Sequence, residues 1–167
     1  MATADDIAKV LEQERALVFD TFDDDAAFAI GSAIRERAIS DKLGIVCSIV
    51  LWDRPLFYMT RPGTTADNAD WVRRKANVVK RFQKSSYRMV LEQLPREDRL
   101  LPEARALPPE DYVLAGGGFP IRVNGAGIIG AVVVSGLPER QDHAVVVAAI
   151  AGYLGRDTAA LALALEP

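Results

Sequence analysis

The dipeptide Asn124-Gly125 stands between two runs dominated by apolar residues, Phe119-Pro120-Ile121-Arg122-Val123 and Gly127 to Val134. Such a dipeptide is a strong local signal for a β-hairpin, because both residues tolerate the positive φ that a two-residue turn demands. The spacing predicts two adjacent antiparallel strands joined by a two-residue turn. The returning strand is almost wholly apolar, so it is expected at the centre of a sheet. This feature also disfavours a parallel nucleotide-binding sheet, whose crossovers need helices where the chain has hairpins.

The rest of the chain fits around that sheet. Asp5 to Glu14 reads as a first helix and Ala16-Leu17-Val18-Phe19 as a short strand. A second helix is expected to start at Asp23-Asp24-Asp25, whose carboxylates suit the free amides of a first turn. Ala27, Ile30 and Ile34 continue it at helical spacing, and Gly44 can stop it. Ile45 to Trp52 is a strongly apolar strand, with Asp53-Arg54-Pro55 as a turn and Leu56 to Met59 returning. Thr65 or Asp67 can cap the helix that follows. Leu94 to Pro109 carries four prolines and reads as a surface connection. Ser135-Gly136-Leu137-Pro138 opens a last helix, Glu139 to Leu154, with Pro138 suited to its first turn. The expectation is an α/β fold, an antiparallel sheet covered by helices. With 167 residues, half of them hydrophobic, the chain suits one domain, 1–167, with 156–167 as a C-terminal tail. The apolar stretch Ala159 to Leu165 is expected to pack on the domain or on a partner subunit.

Between the two strand regions lies a segment of opposite electrostatic character. The chain has a net charge of -3, yet Trp71 to Arg88 carries seven basic residues and no acidic one. Read as one helix, it places Trp71, Val78, Val79, Phe82 and Met89 on an apolar arc. Arg73, Arg74, Asn77, Lys80, Arg81, Lys84 and Arg88 fall on a separate arc about 120° wide. Lys75 is the exception. It projects into the apolar arc, where a lysine snorkels, or meets a buried acid or a ligand. The basic arc is either a solvated face or an anion site.

Several classes of chemistry are disfavoured. The single cysteine, Cys47, cannot form an internal disulfide, and its apolar surroundings point to a buried strand residue. The start of the chain has neither the basic region nor the apolar core of a signal peptide, and no run approaches a membrane span. These features favour a cytoplasmic protein, and the overall acidity argues against general nucleic-acid binding. One histidine and one distant cysteine make a poor zinc set. Gly116-Gly117-Gly118 lacks the spacing of a nucleotide fingerprint, and serves either as a turn or bulge or as backbone facing a ligand. His143, the only histidine, sits one turn inside the last helix, with Val147, Ile150 and Leu154 on nearly the same face. It is either a packed core residue or a haem ligand or general base.

Two blocks of sequence resemble a known family. The first runs Pro62-Gly63-Thr64-Thr65, Asp67-Asn68, Trp71-Val72-Arg73-Arg74-Lys75, Asn77-Val78-Val79, Arg81-Phe82 and Ser85-Ser86-Tyr87. The second runs Gly116-Gly117-Gly118-Phe119-Pro120-Ile121, then Gly130 and Val134-Ser135-Gly136-Leu137-Pro138, to Asp142-His143. Together they resemble the uncharacterised bacterial and fungal branch of the haem-degrading-domain superfamily, over about Leu11 to Gly155. That superfamily includes the glycolate-operon accessory protein and the extracellular haem-binding sensor protein. The resemblance implies a three-layer α/β/α sandwich of profilin-like topology, assembled as a homo-oligomer. Haem binding or breakdown belongs to some relatives, and the Arg-Arg-Lys and Asn-Val-Val block to this branch.

The functional expectation is a cytoplasmic oligomeric protein with a site for a small anion or other small molecule. Its candidate residues are Arg73, Arg74, Lys75, Asn77, the backbone of Gly116, Gly117, Gly118 and Phe119, and His143. The arginines would clamp an anion through paired hydrogen bonds, whether haem propionate, dicarboxylate or phosphate. The alternatives are haem or tetrapyrrole binding, haem degradation, and a structural or chaperone-associated adaptor. A basic surface docked on the acidic N-terminal part of a neighbouring subunit is the rival reading of the same residues.

Overall fold

Residues 2–94 and 107–164 are described by a computed structural model. The elements follow in the order α1 (Ala2–Ala16), α2 (Asp24–Ser40), β1 (Val46–Leu51), β2 (Arg54–Thr60), α3 (Ala66–Phe82), α4 (Ser86–Gln93), β3 (Gly118–Val123), β4 (Gly127–Ser135), α5 (Glu139–Tyr153) and α6 (Thr158–Leu161). The four strands form one antiparallel sheet in the order β2-β1-β4-β3. Most of the proline-rich connection, and the last residue of the apolar C-terminal stretch, fall outside the described residues.

Side-chain alternation divides the core between the two faces of the sheet. Cys47, Ile49, Phe119, Ile121, Val132 and Val134 pack against α2 and α5. Val46, Ala131 and Val133 face α3, where they meet Val72 and Val79. A third cluster joins α1, α4 and Val78 of α3 beyond the sheet. β4 is flanked by strands on both sides and fully buried through Gly130–Ser135, as its composition predicts. Pro120 sits in edge strand β3, where a missing backbone N–H is tolerated.

The caps of α2 and α3 follow their sequence signals. Asp23 accepts the Ala26 amide at 2.8 Å, and the Thr65 amide donates to Asn68 Oδ1 at 3.0 Å. Four local expectations are corrected. The second helix ends at Ser40, and the residue that turns the chain out of it is Lys42, not Gly44: Lys42 takes the left-handed conformation (φ 55°), and Leu43 N–H reaches back to Ala38 O. Ala16 to Phe19 is no strand; Phe19 makes one isolated parallel bridge to Val123 while Leu17 and Phe19 enter the core.

The hairpin is also not the two-residue type. Val123 pairs with Gly127, and Ala126 N–H closes a turn on Val123 O at 3.0 Å. Only Gly125 of the two central residues has positive φ (79°), which marks a type II turn. The Asn124 amide is committed to Phe19 O, and its side chain to Asp20.

The fourth correction concerns the basic segment, which is two helices. Gln83 turns left-handed (φ 57°) to end α3, and Ser85 Oγ accepts the Arg88 amide to begin α4. Lys84 and Arg88 therefore leave the face that carries Arg73 and Arg74. They pair with Glu92, and Arg88 also pairs with Glu14 of α1.

Candidate functional site

α3 lies across the sheet with the start of α5 beside it, and a cleft of about 680 Å³ opens between them. One wall is the first half of α3: Asp67, Asn68, Trp71 and Arg74. The other is Val113 to Ala115 together with Ser135 to Leu137 and Glu139. The floor is a buried ion pair. Lys75 Nζ lies 2.9 Å from Asp142 Oδ2 and donates to Val134 O at 3.0 Å, and both side chains are 2% exposed. Asp142 Oδ1 in turn accepts the Leu137 amide at 3.0 Å, which ties the pair to the β4–α5 connection. Burial pushes the Lys75 ammonium below its ordinary pKa and the Asp142 carboxyl above its own, with each partner's charge opposing that drift.

The glycine run makes room for this floor. Gly117 has φ 124°, and a side chain there would meet Val134 O at 2.3 Å and Lys75 Nζ at 3.0 Å. A Cβ at Gly116 would strike the Glu139 carbonyl at 2.3 Å. Gly118 donates its amide to Ser86 Oγ at 2.9 Å. The three glycines thus let the chain entering β3 pass close to α3 and α5, and Gly117 stands against the Lys75–Asp142 pair, but none of the three lines the cleft. Phe119 points away from it, into the core on the far face of the sheet.

The remaining candidates separate across α3. Arg74 lines the cleft, 5.5 Å from the Trp71 ring, with its Nε buried and without a partner among the described residues. Arg73 is half-exposed on the other flank, where it bonds to Asp111 Oδ1 at 2.9 Å. Both arginines share one internal carboxylate: Asp70 Oδ1 lies 2.9 Å from Arg73, and its Oδ2 3.7 Å from Arg74. Asn77 also sits on the Arg73 side and donates to Asp111 O. His143 is in neither place. Its ring is fully buried, 5.0 Å from Tyr87, with Nε2 2.8 Å from Gln13 Oε1. Burial holds it neutral, at a pKa of about 3. Cys47 is equally inert, its thiol pushed up to about 12 by burial.

Sequence reasoning did not pair Asp142 with Lys75. The available signal was the need of an apolar-arc lysine for a buried acid. It also missed Trp71 as a cleft wall, because apolar periodicity assigned it to the core. No group of three His, Cys, Asp or Glu side chains suited to a metal occurs among the described residues. No described helix is long and apolar enough to cross a membrane.

Both helix-side and floor residues of the cleft, from Asp67 to Lys75 and at Ser135 to Leu137 and Asp142, come from the two blocks singled out in the sequence, while Val113 to Ala115 precede the second block; comparison with known proteins covers both blocks. The family described as "Haem degrading protein HbpS-like" matches residues 22–151. A UPF0303 protein of Brucella anthropi is 58% identical over 167 residues, covering 98% of each chain. One of Mesorhizobium japonicum is 58% identical over 166 residues, covering 99% of each. Among solved structures, the Ybr137w protein has a TM-score of 0.80 at 22% identity, covering 90% of both chains. A structure described as a PduOC:heme complex has a TM-score of 0.64 at 21% identity, covering 80% of this chain and 94% of that one. At such identities the structural likeness speaks to the fold.

Proposed function

From the premise that this chain belongs to the HbpS-like family of haem-degrading proteins, we propose that it is a ligand-binding protein whose α3–α5 cleft holds a carboxylate-bearing tetrapyrrole. One observation carries the reading: the Arg74 guanidinium borders the cleft beside the Trp71 ring, and the carboxylate that faces it among the described residues, Asp70, stands 3.7 Å away, beyond hydrogen-bond distance. A guanidinium in that state favours a carboxylate, and an indole face favours a flat ring.

The cleft residues fit the periphery of a tetrapyrrole. Arg74 would take a propionate, Trp71 the ring, and Val113, Leu114 and Leu137 the apolar edge. They do not fit an iron centre of the usual kind, since no histidine, cysteine or methionine lines the cleft. His143 is fully enclosed and held by Gln13. The proposal is therefore one of binding, with no reaction assigned. It carries with it the homo-oligomeric assembly and profilin-like topology that the resemblance implies.

A smaller ligand is the second reading. Asp67 and Glu139 border the same cleft, and acids beside an arginine suit a compact carboxylate that also offers hydrogen-bond donors.

Titration in a Trp52→Phe background, which leaves Trp71 as the only tryptophan, tests both. Protoporphyrin and its iron complex should quench Trp71 and shift the porphyrin absorption band. Small dicarboxylates alone competing for the cleft would favour the second reading. Neither class binding at submillimolar concentration would defeat the proposal.

A further inference from the structure

A second cleft lies on the opposite flank of α3. The sheet has four strands, and α3 packs on β3, β4 and β1, leaving the same face of β2 open. There Tyr58 stands opposite Ser48 in the strand register and is 51% exposed. Small residues of α3, Ala69 and Ala76, leave a cleft of about 400 Å³ between helix and strand.

The lining of this cleft has one chemical character. The Trp52 indole is fixed, because its Nε1 donates to Ile128 O at 3.0 Å. Lys80 Nζ stands 5.8 Å from that ring and has no carboxylate partner among the described residues. Arg54 and Arg73 are at the rim, each held by exposed ion pairs, while Asp53 is the one acid in the lining. Exposed ion pairs contribute little and exchange readily for a better anion. A held aromatic plane with an ammonium over it that has no carboxylate partner among the described residues is a recognition unit for a flat ring that carries an anion.

We propose that this β2–α3 cleft is a second binding site, for a small aromatic anion of the nucleoside monophosphate type, with Trp52 and Tyr58 flanking the ring and Lys80 holding the phosphate. The site shares no lining residue with the α3–α5 cleft, so the two readings stand or fall separately.

The test is titration of the Trp71→Phe protein, in which Trp52 is the only tryptophan, with adenosine 5′-monophosphate, adenosine and a short single-stranded oligonucleotide. The expected result is saturable quenching by the monophosphate, with adenosine much weaker. Lys80→Ala should weaken binding about tenfold, as loss of one charged hydrogen bond does, and Lys80→Arg should restore most of it. Four outcomes would overturn the proposal. They are no quenching up to millimolar monophosphate, equal binding of adenosine, tighter binding of the oligonucleotide, and Trp52 already shielded in an assembly that Lys80→Ala dissociates. The third would make the face a nucleic-acid surface and the fourth a contact between copies of this chain.

Discussion

Lys75 lies on the apolar arc of a basic helix, and its neighbours explain how the fold tolerates it there. Its ammonium is enclosed by Asp142, Val134 O and the glycine backbone at Gly117. Removing one member of such a pair leaves the other charge buried and alone. Lys75→Met is expected to cost about 3–5 kcal/mol, and Lys75→Met with Asp142→Leu to recover much of that loss. Urea denaturation of both variants checks this; a double variant no more stable than the single one would count against the pair being closed and self-sufficient. His143 gives a pH-dependent counterpart. Its folded pKa is lowered from 6.5 to about 3, so between those values the unfolded chain takes a proton that the native chain refuses. The stability from keeping it neutral is present above pH about 6.5 and is lost as pH falls toward 3, at up to about 1.4 kcal/mol per unit. Denaturation at pH 5 and 7.5 should show a shallower loss for His143→Asn than for the parent protein. Equal losses would mean that another group governs acid sensitivity.

Among the elements, the break between α3 and α4 decides how the basic segment works. Ser85 Oγ caps α4, and Glu14 Oε1 accepts the Ser85 amide, so the break is anchored by α1. Ser85→Ala is expected to lower stability by about 1 kcal/mol, read from the midpoint of chemical denaturation; an unchanged midpoint would show the cap to be dispensable. The sequence pattern carried most of the fold at this level. Alternating apolar residues, the Asp23 and Thr65 caps and the apolar β4 each have a local cause that survives folding. What it did not carry was set by distant partners. Apolar spacing runs on from Phe82 to Met89 and hides the break, although Ser85 was a readable cap. Asn124-Gly125 favours a hairpin in any context, but the Asn124 amide is taken by Phe19 O, more than a hundred positions away, and the turn is not the two-residue type. Phe19 itself is drawn into the core, which limits its pairing to one bridge.

At the scale of the whole molecule, α3 separates the α3–α5 cleft from the β2–α3 cleft, and the division sorts residues adjacent in sequence. Arg74 and Lys75 serve one flank, Arg73 and Asn77 the other. The sequence singled out this helix because its charge stood out against an acidic chain. It could not separate the flanks, since that depends on where β2 ends and α5 begins. Nor could it show that much of the positive charge is met internally, by Asp70, Asp111, Glu92 and Glu14. This internal pairing weakens the idea of a basic face awaiting a neighbour's acidic segment. Sedimentation at micromolar concentration is expected to show an oligomer that persists in 0.5 M salt, whereas salt-driven dissociation would restore the electrostatic interface. The central claim is that the α3–α5 cleft, with Arg74 at its wall, is the ligand site. It is tested most directly by porphyrin titration of Arg74→Ala beside Arg73→Ala. The account predicts that Arg74→Ala weakens binding by about tenfold or more while Arg73→Ala leaves it near the parent value. Equal loss in both, or loss in Arg73→Ala alone, would contradict it.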